Sequence, residues 1–345
     1  MSAERAVPFC DLARAHAAIR TDIDRAIREC IDSSQFLRGA QTQAFEEEWA
    51  AYCGQRFAVT CNSGTDALTI AASALGMERA RVPANTLALT AIGLHRAGVS
   101  VEIADVDEEG WPVDPDAHTV RVLLYGRLPR AGDAAQMRDA AARWDAAPLC
   151  DAAHAHGWRP PRGTAAAWSF YPTKTLGALG DGGAVTTDDE GLADLMRDLC
   201  GRDDQLRDRR QLTSRMDEMQ AAVLRVKLRH LDAWLAMRRE IGDAYDRRFR
   251  GSGLSLQGPS LHHLYCIRAR NRDALAAALL ARGIGTKVHW STPLSRLAGP
   301  WRCPRDCPGA ERWCAQVLSL PCYPGLAGHE VDRVADAMLA HAQPV

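Results

Sequence analysis

The residues best suited to covalent chemistry lie in three short segments. Lys174 ends Trp168-Ser169-Phe170-Tyr171-Pro172-Thr173-Lys174, and Gly177-Ala178-Leu179-Gly180-Asp181-Gly182-Gly183 follows almost directly. Asp151 stands 23 positions before the lysine and closes the apolar run Ala146-Ala147-Pro148-Leu149-Cys150, which reads as a short buried strand. Ser63-Gly64-Thr65 opens a helical pattern behind another strand-like run, Phe57-Ala58-Val59-Thr60-Cys61. An amine, a carboxylate and a phosphate-sized turn on successive strand ends are the parts that pyridoxal phosphate chemistry requires. The lysine forms an imine with the cofactor aldehyde, and the carboxylate keeps the pyridine nitrogen protonated. Backbone amides at a helix start hold the phosphate.

Each segment also has a plainer reading. Ser63 and Thr65 before a helix make an ordinary N-cap, and Asp151 is equally suited to capping the helix after it. The glycines from 177 to 183 fit a tight hairpin as well as a close approach to a cofactor. Lys174 is less easily dismissed as a surface charge, because it stands in an apolar, aromatic segment and not on a polar helix face. Partial burial there lowers an amine's pKa and makes it nucleophilic. Ser169, five residues earlier, is placed to donate to the same phosphate. His154 and His156 have the spacing of a His-x-His metal pair, but two such side chains on a helix do not share a face. His154 is expected to face the cofactor and His156 to be packed.

The elements that must position these groups are readable from periodicity. Strand-like runs fall at 57–61, 80–83, 100–104, 120–125, 147–151, 165–169 and 183–187, with helical patterns at 65–76, 86–97, 133–145 and 190–199 between them. Such alternation predicts an α/β fold, a mostly parallel or mixed sheet covered on both faces. The opening shows a helical stripe (Leu12, Ala15, Ile19, Ile23, Ile27, Ile31), followed by an amphipathic helix around Phe45 to Tyr52. A long helix, with room for one break, is predicted from about Met216 to Phe249. Beyond it, a strand at 265–268, a helix at 272–282, a strand at 285–289 and a last helix at 328–341 describe a compact α+β unit. The predicted organisation is a large domain over 1–233 and a small C-terminal domain over 234–345.

Composition narrows the function classes. The 345 residues are 47% hydrophobic and 25% charged, with a net charge of -1, so nothing electrostatic favours nucleic acid or an anionic membrane as partner. No run of 18 apolar residues occurs and Met1-Ser2-Ala3-Glu4-Arg5 lacks a signal-peptide core, so a soluble cytoplasmic protein is expected. The 11 cysteines are scattered, without C-x-x-C pairs, and read as reduced thiols. Cys303, Cys307, Cys314 and Cys322 cluster loosely enough to raise a metal site, which the flanking prolines argue against. The arginines at 197, 202, 207, 209 and 210 suggest a nucleotide diphosphate, but interleaved aspartates make a charge-balanced loop the simpler reading.

Ser34-Gln35-Phe36-Leu37-Arg38-Gly39, Ser63-Gly64-Thr65-Asp66-Ala67-Leu68, Val82-Pro83-Ala84-Asn85-Thr86, Asp151-Ala152-Ala153-His154-Ala155-His156-Gly157 and Ser169-Phe170-Tyr171-Pro172-Thr173-Lys174 occur in this order. Gly180-Asp181-Gly182-Gly183-Ala184-Val185, Ser214-Arg215-Met216-Asp217-Glu218-Met219 and Leu318-Ser319-Leu320-Pro321 follow. Through these motifs the chain resembles, almost end to end, the DegT/DnrJ/EryC1/StrS family of sugar aminotransferases, fold type I pyridoxal phosphate enzymes. The resemblance implies that Lys174 carries the cofactor and shuttles protons, that Asp151 faces the pyridine nitrogen, and that Thr65 and Ser169 bind phosphate, with Ser63 and Gly64 in the same turn. It also implies a homodimer whose partner subunit completes the site through the segment holding Thr213, Ser214 and Arg215. His289 lies where members approach substrate.

The chain departs from the family pattern at three cofactor positions. His154 replaces the usual Gln, Leu87 the usual aromatic that stacks on the ring, and Thr213 the usual Asn. The chain is also shorter near 77–82, 112–120 and 157–168. The expected reaction is a two-stage amine transfer from L-glutamate or L-glutamine to a keto-sugar, most simply a nucleotide-linked one, in amino-sugar or natural-product biosynthesis. Two alternatives stay open. One is a changed reaction or acceptor (sugar dehydration, a cyclitol or another non-nucleotide ketone), and Lys174 weighs against dehydration because dehydrating relatives tend to carry histidine there. The other is a non-catalytic protein of the same fold.

Overall fold

The computed structural model describes residues 6–128, 148–201, 210–254 and 258–345. The predicted helix at 133–145, and the 202–209 part of the arginine and aspartate stretch, lie outside these residues. The opening pattern folds as two helices, Leu12–Ala17 (α1) and Arg20–Ser33 (α2), and Ala40–Cys53 (α3) follows. Then come Phe57–Cys61 (β1), Gly64–Ala74 (α4), Arg79–Pro83 (β2), Ala88–Arg96 (α5) and Ser100–Ala104 (β3). Arg121–Val122 (β4), Leu149–Asp151 (β5), Ala165–Ser169 (β6), Gly183–Thr187 (β7) and Glu190–Leu199 (α6) complete the sheet region. The sheet order is β1-β7-β6-β5-β4, with β4, β5 and β6 parallel and β7 antiparallel to both its neighbours. β2 and β3 pair in parallel, and a parallel bridge from Arg81 to Thr119 joins them to the edge beside β4. This is the mixed, mostly parallel sheet that alternation predicted. Among the described residues no helix is long and apolar enough to cross a membrane.

β1, β5, β6 and β7 are buried almost throughout because both faces are covered, whereas β2 and β3 start on the exposed Arg79 and Ser100; alternate side chains feed different cores. From β6, Ala165 and Ala167 pack with Leu68, Ile70 and Leu94 under α4 and α5. Ala166 and Trp168 point the other way, into Phe45, Trp49 and Leu224. Glu218–Leu228 (α7) packs Ala221 and Leu224 into that same core. A further core gathers Tyr245, Tyr265, Ile267, Leu318 and Met338 from Leu231–Phe249 (α8), Tyr265–Arg268 (β8), Val317–Leu320 (β9) and Gly328–His341 (α11), with Leu275 and Leu279 of Arg272–Leu280 (α9). Val7 from the N-terminal segment joins that core. Pro308–Gln316 (α10) instead sends Ala310 and Trp313 into the core under α4 and α5.

Two expectations need correction. The strand predicted at 120–125 ends at Val122, because Tyr125 and Gly126 take positive φ and turn the chain. The long helix takes the one break its pattern left room for, at Arg229-His230, where the His230 amide bonds back to the Lys227 carbonyl and α8 starts afresh. The strand predicted at 285–289 makes only an isolated bridge from Lys287 to Ser319, while Ile284 bridges Val7. The late cysteines do not form a metal cluster among the described residues; Cys303 and Cys307 sulfurs lie 3.8 Å apart.

One buried carboxylate ties α7 to α3. Glu218, at the start of α7, accepts from the amides of Gly39 (2.9 Å), Gln41 (2.8 Å) and Thr42 (3.0 Å), and from the Thr42 hydroxyl. It thus caps a helix whose own N-cap residue, Gly39, has no side chain to do so. Glu218's own amide donates to the Phe36 carbonyl at 2.9 Å, and Asp217 bridges Leu37. Replacing Glu218 by Ala leaves these amides buried and unpaired, and is expected to lower unfolding free energy by roughly 3 kcal/mol. Urea unfolding of Glu218→Ala against the parent protein measures this; a change within about 0.5 kcal/mol, the ordinary range for surface substitutions, contradicts it.

Candidate active site

Three chain turns meet at the ends of β1, β5 and β6. At the first, Ser63 caps α4: its Oγ accepts from the Asp66 amide at 3.1 Å and its carbonyl from the Ala67 amide at 2.9 Å. Gly64 and Thr65, the first residues of α4, have no preceding turn to accept their N–H groups, so these amides are offered outward with the positive end of the helix dipole. Only glycine fits at 64, because a Cβ there would lie 2.6 Å from the Ser169 Cβ. The ends of β1 and β6 are thereby drawn together. Gly183 meets the same constraint, since its Cβ would lie 2.2 Å from the Ser63 carbonyl oxygen.

At the second turn Asp151 closes β5, buried, with Oδ2 accepting from Thr90 Oγ1 at 2.8 Å and Oδ1 from the Ala153 amide at 3.1 Å. Burial pushes its pKa up, opposed by those two hydrogen bonds and by the nearby Lys174 charge. At the third, the chain leaves β6 through a turn closed by Lys174 N to Tyr171 O (2.8 Å) and Ala178 N to Phe170 O (2.8 Å). Lys227 of α7, itself buried, supports this turn from below through Nζ to the Gly177 carbonyl at 2.6 Å. Lys174 opens into the cavity, and desolvation brings its amine down to about 8, with Asp151 pulling the other way.

The resulting cavity has a volume of about 380 Å³. Of the residues expected at the site, Ser63, Gly64, Thr65, Leu87, Asp151, His154, Ser169, Lys174 and His289 all line it. Thr213 and Arg215 do not. Thr213 is exposed, and Arg215 lines a separate surface depression with Arg38, Arg56 and Arg197. Their neighbour Ser214 nonetheless reaches the start of α4, donating to Asp66 Oδ2 at 2.7 Å and accepting from the Asn62 amide at 3.0 Å.

His154 is buried and its Nδ1 accepts the Tyr125 amide at 3.0 Å. Burial, then the charge of Lys174, holds its pKa well below the ordinary histidine value. His156 is not a ligand: it is packed between Trp168 and Phe170, with Trp49 edge-on, and burial takes its pKa to about 3. His289 Nδ1 is 2.8 Å from Ser319 Oγ, its ring lies against Phe9, and burial lowers its pKa to about 4.

Sequence reasoning missed several wall residues. Thr90, the partner of Asp151, follows Thr86 by four residues at the start of α5, a polar pair in an otherwise apolar stretch that could have been noticed. His263 packs on His154 with ring centres 4.5 Å apart, and its neighbour His262 was as visible in sequence. Arg238 of α8 is buried at the wall and donates to the carbonyls of His262 (3.2 Å), His263 (3.0 Å) and Cys322. Phe9 and Cys10 carry no local signal, because only tertiary folding brings the N-terminal segment to the cavity.

The site fits a phosphorylated pyridine aldehyde on structural grounds alone. A buried carboxylate that forms no ion pair among the described residues calls for a cation, an offered helix start calls for an anion, and an amine with lowered pKa lies in the same cavity. The comparisons agree. Over 371 residues the chain is 37% identical to dTDP-3-amino-3,4,6-trideoxy-alpha-D-glucose transaminase of Streptomyces venezuelae, covering 98% of this chain and 97% of that one. It is also 37% identical, over 370 residues, to the erythromycin biosynthesis sensory transduction protein EryC1 of Saccharopolyspora erythraea, covering 97% and 100%. The crystal structure of S. venezuelae DesV in complex with a ketimine intermediate superimposes with a TM-score of 0.87 at 35% identity, over 99% of this chain and 100% of that one. The DegT/DnrJ/EryC1/StrS aminotransferase family model matches residues 17–339. With a fold type I architecture and this match over nearly its whole length, the chain belongs to the DegT/DnrJ/EryC1/StrS aminotransferase family.

Proposed function

We propose that this aminotransferase uses pyridoxal phosphate to move an amino group from L-glutamate or L-glutamine to a nucleotide-linked keto-sugar. The observation that carries the reading is the placement of Lys174 and Asp151 in one cavity beside the start of α4. When bound, the cofactor supplies the carbonyl that takes up and gives back the amino group and the ring that withdraws electrons from the reacting carbon. The chain supplies the rest. Lys174 Nζ would hold the cofactor aldehyde and, as a free amine, would carry the proton lost from the donor's Cα and the proton gained by the acceptor's carbon. Held on the same scaffold as the substrate, it acts at high effective concentration, worth up to about 7–11 kcal/mol in the best-oriented cases. Asp151 holds a negative charge against the pyridine nitrogen, with Thr90 and the Ala153 amide fixing its orientation.

The Gly64 and Thr65 amides and the Ser63 and Ser169 hydroxyls take the phosphate. His154 donates to the ring oxygen, and Leu87 covers the ring with an aliphatic contact. His289 faces the substrate. Thr213 and Arg215, exposed or in a surface depression here, act across a homodimer interface and complete the partner's site. The large domain runs over 1–233 and the small one over 234–345, and the protein works in the cytoplasm on small-molecule donor and acceptor, without nucleic acid or membrane. The S. venezuelae relative, named for a dTDP-sugar product, supports a nucleotide-linked acceptor and a role in natural-product biosynthesis. The EryC1 relative is named for signalling, yet a desolvated amine beside a buried carboxylate is apparatus for chemistry and not for display.

Two outcomes follow. Borohydride reduction of the loaded protein, then peptide mass mapping, is expected to place the phosphopyridoxyl group on Lys174. Lys174→Ala is expected to give no adduct and to lose amine transfer by roughly 100-fold to 10,000-fold; an adduct elsewhere contradicts the assignment. The second concerns pH. The neutral amine is the reacting form, so capture of pyridoxal phosphate by cofactor-free protein should quicken with rising pH and level off above about 8. Stopped-flow absorbance between pH 6 and 10 checks this, and a rate that is flat or falls across the range counts against a desolvated Lys174.

A further inference from the structure

Tyr125 is fully buried and adopts φ 64° and ψ 1°, a left-handed conformation that a bulky L-residue rarely takes. It lies in the turn Leu123–Gly126, closed by the Gly126 amide to the Leu123 carbonyl at 3.1 Å. From there its polar groups reach three parts of the site. The amide donates to His154 Nδ1 at 3.0 Å, and the carbonyl accepts from the Leu264 amide at 3.1 Å, beside His263. The hydroxyl donates to the His289 carbonyl and accepts from Trp313 Nε1 at 3.2 Å.

The first of these bonds settles the chemistry of His154. A ring nitrogen that accepts an N–H hydrogen bond carries no proton, so the neutral imidazole must hold its hydrogen on Nε2. The groups facing this ring are Lys174, His156, His263 and His289, and none is an anion that would favour an imidazolium. His263 packs on the ring and is itself tied to the lysine turn, its Nδ1 3.3 Å from Thr175 Oγ1.

We propose that Tyr125 is a positioning residue for amine transfer. Its amide fixes His154 as an Nε2–H donor toward the cofactor's ring oxygen, and its hydroxyl holds the His289 carbonyl on the substrate side. One buried residue thereby sets two ends of the site in register. The inference rests on the pyridoxal phosphate reading only for what His154 donates to; the tautomer itself is a property of the cofactor-free protein.

Nitrogen-15 NMR of the cofactor-free protein labelled in histidine, with His154→Gln for assignment, reads the tautomer. The expected spectrum has Nδ1 bare and Nε2 protonated, unchanged from pH 6 to 9. An Nδ1–H ring, or a ring that titrates in that range, overturns the proposal. Failure of the protein to take up pyridoxal phosphate sinks the cofactor reading instead and leaves the tautomer result standing. Tyr125→Phe removes the hydroxyl alone; it should raise KM for donor or acceptor by about tenfold, the effect of one lost buried hydrogen bond, with kcat and the bound-cofactor spectrum little changed. Unchanged KM values for both substrates overturn the second half. Tyr125→Gly, which keeps the amide and tolerates the left-handed turn, should reproduce the KM loss while the His154 resonances keep their pattern; a switch of tautomer there shows that the ring and not the amide sets it, and overturns the proposal.

Discussion

The structure is organised around one expense in solvation: an amine and a carboxylate, Lys174 and Asp151, share a cavity under a covering of apolar side chains. Desolvation disfavours both charges, lowering the lysine and raising the aspartate, and each moderates the other. The rest of the large sheet serves to hold the two at that place. Parallel strands β5 and β6 deliver both residues to the same edge, antiparallel β7 and β1 bring the start of α4 alongside, and alternate side chains of each strand lock onto helices on opposite faces. Lys227 beneath the Gly177 carbonyl and Thr90 beside Asp151 are the second layer that keeps the pair from rotating away.

Around this pair the other titratable groups are kept quiet. His154, His156, His263 and His289 are all pushed toward the neutral form by burial, and the lysine charge adds to the effect at each. Arg238 keeps its charge but spends it on backbone carbonyls of the 262–263 and 322 segments, drawing them together as a wall. The Lys174 amine is therefore placed to respond to the charge of a ligand and to Asp151 more than to pH-dependent neighbours. A neutral histidine at position 154 still offers an N–H, as an amide side chain there would.

Much of this was legible in the sequence, for a local reason. The lysine, the aspartate and the Ser63-Gly64-Thr65 turn each lie at or just past the end of a short apolar run, and such runs with glycine punctuation are short-range signals. The helices at 190–199 and 328–341 were placed within a residue because their apolar stripes and flanking polar residues agree. What failed to read was tertiary. Nothing in Leu123-Leu124-Tyr125 announces a left-handed tyrosine, so the strand was drawn too long. Lys287 to His289 has strand composition but makes only a single bridge, to Ser319 on the edge of β9 that β8 leaves free. Phe9, Arg238 and His263 come from segments far apart in the chain, and only packing on the sheet edge makes them neighbours. Thr213 and Arg215 are the opposite case, given roles by resemblance and placed off the cavity of their own chain.

The most direct measurement is the ultraviolet–visible spectrum of the protein loaded with pyridoxal phosphate, recorded before and after addition of L-glutamate or L-glutamine without acceptor. The account predicts a visible-edge band that the donor converts to the near-ultraviolet band of the pyridoxamine form, with the corresponding keto acid released. A protein that stays colourless with the cofactor, or whose band neither donor moves, contradicts it.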